Sequence, residues 1–289
     1  MTRSTSETSS TKVSKQGSSG YGIRGLKKKR MSLADTRTAG TGGKDLIWIM
    51  APPGTGKTSM LCAFRKPFII MTGKEPGLDK LITQGRVGEV PHTPPVEEWE
   101  DFEAILSELV ESDHDYEMIG IDSLSDVVDM AKEYVIRTDY GGDGTKYSSS
   151  YGAGSRKLKV LLGQMVEQFF RLQRKEPSVG VAVTSGVQSM RLTDPMAGEY
   201  FQWAPSVEKA GAEICLKAFD IVLHCRYEPR MDWDGRAIPG TTRVMITEGD
   251  NTLIAKNRHG LPRQISMGSS GEEAVKNLGA AIVAAQTKS

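Results

Sequence analysis

From about Asp45 onward, short runs of apolar residues alternate with longer stretches in which apolar positions recur every three or four residues. Leu46–Met50 (LIWIM) reads as a buried strand that stops at a Gly/Pro-rich loop, and Thr58–Phe64 reads as the helix after it. Pro67–Thr72 (PFIIMT) is a second strand. Glu97–Val110 puts Trp99, Phe102, Ile105, Leu106 and Leu109 on one stripe, the mark of an amphipathic helix. Glu117–Asp122 (EMIGID) predicts a third strand, followed by a helix over 124–136. Ser155–Arg174 predicts a long helix, and Val179–Thr184 and Asp220–Arg226 further strands. Thr242–Thr247 and Asn251–Ala255 predict a late antiparallel pair about the turn Gly249–Asp250. Glu272–Ala285 predicts an amphipathic C-terminal helix. Strands apolar on both faces and separated by helices imply an α/β fold with a mostly parallel sheet covered on both sides.

Charge changes the picture at one end. The chain has 289 residues and a formal net charge of only +1. Residues 1–44 nevertheless hold ten basic and two acidic side chains and are rich in Ser, Thr and Gly. Such a segment buries too little apolar surface to offset its ordering entropy, so 1–44 is expected to be a disordered basic tail. Lys27–Arg30 reads as a solvated linker run or as an arm for nucleic-acid phosphates. Residues 45–265 are expected to form the main domain and 266–289 a C-terminal helix or tail. No run approaches the roughly 20 apolar residues that span a bilayer, and no apolar leader is visible, so a cytoplasmic protein without a membrane partner is expected. The cysteines Cys62, Cys215 and Cys225 are widely spaced, and the four histidines show no metal-ligand spacing.

The chemistry concentrates at Ala51-Pro52-Pro53-Gly54-Thr55-Gly56-Lys57-Thr58, with Ser59 next. This segment follows a predicted strand and opens a predicted helix, the setting a phosphate-binding P-loop needs. Gly54 and Gly56 let successive N–H groups turn inward into an anion nest beside a helix N-terminus. Lys57 has the reach for the β- and γ-phosphates of ATP, and Thr58 offers Mg²⁺ a hydroxyl. Ala51 stands where the simplest form of the motif has Gly. A second acidic strand end should share the metal, and Ile119-Gly-Ile-Asp122 supplies it in a Walker B arrangement, making Asp122 the carboxylate partner of Thr58. The next residue is Ser123, where AAA+ ATPases carry a water-orienting Glu. The base must come from elsewhere: Glu75, just after the second strand, is the candidate, with Asp79 second.

Taken together, PPGTGKT, IDSLSD and the Glu75-to-Asp79 segment resemble a RecA-type P-loop NTPase core. More narrowly, residues 45–265 are similar to the short RecA-like ATPases of bacteriophages, the Sak-type single-strand annealing and recombination proteins. The resemblance implies a DNA-stimulated ATPase using ATP and Mg²⁺ in recombination or repair. It also implies a polar γ-phosphate sensor at the end of the fourth strand, for which Gln188 is the candidate and Thr184 the second. Ser189–Gly211 then takes the place of one DNA loop, with Arg191, Tyr200, Phe201 and Trp203 suited to stacking and phosphate contact. Asp139–Lys159, glycine-rich and basic, takes the place of another, with Tyr151, Arg156 and Lys157. Finally, Lys256-Asn257-Arg258-His259-Gly260 resembles the KNRFG motif of RadA-type relatives. By that resemblance Lys256 and Arg258 would act in trans on a neighbour's γ-phosphate in a ring or filament. Single-stranded DNA, further copies of the chain and a single-strand-binding protein are the implied partners. Two other readings stay open: an AAA+ remodelling or loader ATPase, which the PPGTGKT spelling favours, and a non-catalytic nucleotide-binding adaptor.

Overall fold

A computed structural model describes residues 44–73, 77–194, 196, 198–238, 240–287. Glu75 and the tail before Lys44 lie outside the described residues.

The core begins with β1 (Leu46–Met50), α1 (Lys57–Cys62), β2 (Pro67–Met71), α2 (Gly77–Thr83), α3 (Trp99–Glu111) and β3 (Met118–Asp122). There follow α4 (Leu124–Tyr140), α5 (Gly144–Ser148), α6 (Ala153–Gln173) and β4 (Gly180–Ser185). A hairpin of β5 (Val187–Asp194) and β6 (Gly198–Pro205) leads to α7 (Lys209–Ala218) and β7 (Ile221–Tyr227). A short second hairpin, β8 (Arg230–Met231) and β9 (Ala237–Ile238), precedes β10 (Arg243–Ile246). The chain ends with β11 (Lys256–Asn257), β12 (Gln264–Ser266) and α8 (Gly271–Gln286). The main sheet runs β12-β10-β7-β1-β4-β3-β2, and β11 pairs the start of β7. From β7 through β2 the strands are parallel, while β10 and β12 are antiparallel to their neighbours.

β1 is central and buried at all five positions, which is why its sequence is apolar without alternation. Its side chains still point to opposite faces. Leu46, Trp48 and Met50 enter the cluster formed with α3, α4, α6 and α7, and Ile47 and Ile49 enter the one formed with α1 and α8. The buried Trp48 indole N–H donates to Ser185 Oγ at 3.0 Å, so its burial leaves no orphan donor. Replacing such a fully enclosed aromatic with Ala costs about 3–5 kcal/mol. On β3, Gly120 faces Ile69, where any Cβ would come within 2.5 Å of the Ile69 δ-methyl; the glycine lets β2 and β3 share one packing layer.

The late antiparallel pairing is present, but the partner of Arg243–Ile246 is Gln264–Ser266 and not Asn251–Ala255. Asp250 explains the change. Its Oδ1 accepts from Thr252 N and Leu253 N, and this local turn folds the segment back on itself so that Leu253 packs on Val244 and Ile246. The segment expected as a glycine-rich loop, Asp139–Lys159, contains α5 and the first turns of α6. Asp143 caps α5 by accepting from Thr145 N and Lys146 N, and Tyr147 is buried beside Val135 and Ile136. The segment expected as a second loop, Ser189–Gly211, is mostly the β5–β6 hairpin and the start of α7. Residues 266–287 supply the end of an edge strand and a helix packed on α1. Gly271 abuts the carbonyl of Ser59, which brings the start of α8 against the first turn after the Gly-rich loop. Among the described residues no helix is long and apolar enough to cross a membrane.

Candidate functional site

Three parallel strands end side by side. β4 lies between β1 and β3, with Ile49 opposite Thr184 and Ile121 opposite Val183. The ends of β1, β4 and β3 therefore deliver the 51–58 turn, Thr184 and Asp122 to one edge of the sheet. Gly54 has φ 77° and Gly56 φ 104°, the left-handed region in which a side chain is strained. Nothing lies within 4 Å of where a Cβ on Gly54 would stand. Thr55 is buried, and its hydroxyl donates to Pro52 O at 2.9 Å, closing the turn on itself.

The charged groups converge on this turn. Lys57 Nζ donates to Ala51 O at 3.0 Å and to Pro52 O at 3.2 Å. Burial holds its pKa below the usual lysine range, partly opposed by the negative charge of Asp122. Its partners are neutral carbonyls, which leaves a desolvated positive charge suited to an anion. Thr58 Oγ1 donates to Asp122 Oδ2 at 2.6 Å, and the buried Thr184 hydroxyl donates to Asp122 Oδ1. Asp122 is thus gripped from the first turn of α1 and from the end of β4, one hydroxyl on each carboxylate oxygen. Ser123 is committed to the fold: its N–H donates to Thr72 Oγ1, its hydroxyl donates to Asp126 Oδ2, and it caps α4.

This donor set fits ATP with Mg²⁺. The ammonium and inward-turned glycine loop match phosphate oxygens, and a hydroxyl with a carboxylate matches a hard cation that prefers oxygen. Among the described residues no three His, Cys, Asp or Glu gather as a metal site. The model of the AAA domain family matches residues 44–259, more than half of the chain and all of the groups just described. The chain belongs to the AAA domain family. AAA domains are P-loop ATPase domains, which bind nucleotide and as a rule Mg²⁺. Comparison with the curated proteins finds no match.

Within this AAA domain the other candidate residues fall in different places. Gln188, the expected sensor, stands on β5 with its amide donating to Pro205 O at 2.9 Å; the hydroxyl that reaches Asp122 belongs to Thr184. Asp79, second to Glu75 as a base, pairs with His92 Nε2 at 3.0 Å on the exposed side of α2. Lys256 and Arg258 lie at the opposite end of the sheet, where Lys256 pairs with Val222 in β7 and Ile47 with Ile221. Lys256 Nζ donates to Leu216 O at 2.7 Å and Phe219 O at 2.8 Å, while Arg258 pairs with Asp220 at 2.8 Å and donates to Lys217 O. Within one chain both cations satisfy the orphan carbonyls at the C-terminus of α7. His259 pairs with Asp45 at 2.8 Å beside them.

The expected DNA contacts are exposed but unequally free. Tyr151 is 99% exposed, and Arg156 is exposed on the first turn of α6. Lys157 is held by Asp139 at 2.6 Å. On the β5–β6 hairpin Phe201 and Trp203 are largely exposed, Tyr200 is half-buried, and Arg191 pairs with Glu199. The three thiols are buried and pushed up to about 12, so they offer no nucleophile.

Arg243 is the site residue that sequence reasoning misses. Its guanidinium donates to Thr55 O at 3.1 Å and to Gly268 O at 2.9 Å, tying the Gly-rich turn to the segment before α8. A Cβ on Gly56 would lie 2.8 Å from Arg243 Nη1, so a side chain there would displace the guanidinium as well as strain the backbone at φ 104°. Arg243 and Thr55 are 188 positions apart, and no local motif announces the pair.

Proposed function

We propose that this AAA domain hydrolyses ATP and couples the state of its terminal phosphate to single-stranded DNA in recombination or repair. The model for this activity is the phage Sak-type RecA-like ATPases that the sequence resembles. One observation carries the reading: Thr184, which holds Asp122, is separated from the β5–β6 hairpin only by Ser185 and Gly186. A change at Asp122 thus has a two-residue path to exposed aromatics of the kind that stack on bases.

In this reading Lys57 neutralises phosphate charge, and Thr58 with Asp122 supplies oxygens to Mg²⁺, which when bound spreads the negative charge developing on the phosphates. Thr184 keeps Asp122 oriented. Glu75 is assigned the water-orienting role. Assembly into a ring or filament is included, so turnover should rise with protein concentration faster than linearly. The test is the ATPase rate across protein concentrations, with and without single-stranded DNA. Stimulation by DNA that weakens as salt rises is the expected result. Turnover indifferent to DNA but raised by a protein substrate would select a remodelling ATPase, and tight nucleotide binding without turnover would select an adaptor.

A further inference from the structure

The β8–β9 hairpin exposes large apolar side chains that the nucleotide site does not use. Trp233 at its tip is 93% exposed and Met231 is 70% exposed. The turn that presents them is built by Asp232. Its Oδ1 accepts from Asp234 N at 2.9 Å and Arg236 N at 2.8 Å, its own N–H donates to Arg236 O, and Gly235 takes φ 75°. The acid is consumed in fixing the turn, and the indole beside it is left in water.

Two arginines flank the indole, Arg230 on β8 and Arg236 at the end of the turn. Neither forms an ion pair among the described residues, whereas the exposed arginines of neighbouring segments, Arg191 and Arg263, pair with Glu199 and Asp250. Asp234 is the one carboxylate of the turn not engaged in building it. An exposed ring with an arginine on either side of it in the turn, neither in an ion pair among the described residues, offers a single strand a stacking face and two phosphate contacts, with Asp232 and Asp234 as the opposing charges of the same turn.

Position supplies the second argument. β5 continues from β4, and β8 follows β7; β4 and β7 flank β1, so both hairpins leave the same edge of the sheet as the Gly-rich turn. The β5–β6 hairpin is also tied to a segment that follows the β8–β9 hairpin in the chain. Trp203 on β6 exchanges backbone hydrogen bonds with Thr252 and Ile254, in the loop that follows β10, and β10 is the strand into which β9 leads.

We infer that the β8–β9 hairpin is a second contact for a single nucleic-acid strand, with Trp233 as the stacking platform and Arg230 and Arg236 as phosphate contacts. The inference rests on the proposed DNA-binding function and adds a second element to it. It is tested by fluorescence anisotropy of a labelled oligodeoxythymidylate with the full chain, Mg²⁺ and a non-hydrolysable ATP analogue. Trp233→Ala should weaken binding at least about fivefold. The double variant R230A/R236A should lower the slope of log affinity against log salt by about 1.4, since each phosphate no longer neutralised accounts for about 0.7. Phe201→Ala on the other hairpin serves as the reference, and all three changes are at exposed positions whose folding is checked by circular dichroism.

If Phe201→Ala weakens binding while Trp233→Ala and R230A/R236A bind with the affinity and salt slope of the unaltered chain, this inference fails and the proposed function stands. If the unaltered chain binds no oligonucleotide, both fail. If Trp233→Ala leaves DNA affinity intact but lowers the oligomeric mass, the hairpin is a contact between copies and the inference is overturned.

Discussion

The two ends of the central sheet use the same side chains for opposite purposes. At the end where β1, β4 and β3 stop, Lys57, Thr58, Thr184 and Asp122 meet, and the lysine rests on two loop carbonyls. At the other end Lys256 rests on carbonyls of α7, with Arg258 on Asp220 and His259 on Asp45. What separates them is the acceptor. Helix-terminal carbonyls are orphans that need a donor for the fold to close, so Lys256 completes a structural demand. The carbonyls under Lys57 belong to a glycine turn that could be satisfied otherwise, and its charge remains at the disposal of a ligand. A lysine is therefore read by what its partners would do without it, which residue type alone does not say.

The largest predicted effect follows directly. Lys57→Ala should lower ATP turnover about a hundred- to a thousandfold, the scale of losing one charge-stabilising donor, with the thermal midpoint little changed. Steady-state hydrolysis and a melting curve check it. Unchanged turnover would remove the distinction between the two ends.

The next effect concerns pH and the same end of the sheet. His224, opposite Met50 in β7, is 3% exposed with its Nδ1 unpartnered among the described residues. Burial, with the nearby Arg226 charge second, pulls its pKa from 6.5 down to about 4. The folded state then holds the ring neutral while the unfolded state takes up a proton below about 6.5. The stability this contributes is complete above pH 6.5 and is lost as pH falls toward 4, by about 3 kcal/mol. Denaturant titrations at pH 7 and pH 4 should show that loss in the unaltered chain and a smaller one in His224→Leu. Equal losses in the two proteins would mean that carboxylates carry all of the acid sensitivity.

How far the sequence makes these ends legible differs for physical reasons. The strands β1, β2, β3, β4 and β7 and the P-loop are plain because burial on both faces and phosphate chemistry each leave a local pattern. Asp122 is legible for the same reason, as an acid closing an apolar run. Arg243 on Thr55 and Thr184 on Asp122 depend on which strands become neighbours, and strand order is not written in any one segment. The β5–β6 hairpin left only a partial signal, Met190 with Leu192 and Phe201 with Trp203 recurring every second residue. It is blurred because both faces are largely exposed and the apolar residues do not keep to one side. Lys256-Asn257-Arg258 shows the converse: a motif can be spelled clearly while its contacts within one chain, on the end of α7, are not written in it.

Thr184→Val sharpens the comparison from inside the site. The change keeps shape and removes the hydroxyl that holds Asp122 Oδ1. Turnover should fall about tenfold, about 1.4 kcal/mol, with the KM for ATP nearly constant, since that hydrogen bond orients the carboxylate proposed to serve Mg²⁺ and not the nucleotide. Under the proposed function the stimulation by DNA should fall with it, because the same residue begins the path to the hairpin. A rise in KM with turnover intact would place Thr184 in nucleotide binding alone.

The smallest effect is the one able to break the comparison outright. Lys256→Ala removes the donor to Leu216 O and Phe219 O and leaves the end of α7 open. The cost should be about 1 kcal/mol of stability, the usual worth of a cation at a helix C-terminus, with turnover per folded molecule unchanged. Adding the variant to the unaltered protein in rising proportion separates a cap from a finger. A cap leaves turnover proportional to the amount of each folded chain. A finger acting on a neighbour makes each variant subunit silence the site beside it, so mixed assemblies lose activity faster than the variant is added. Loss of that kind, with the melting point unmoved, would show that carbonyl partners within one chain do not decide a lysine's role, and the two ends of the sheet would then belong to one site completed between copies.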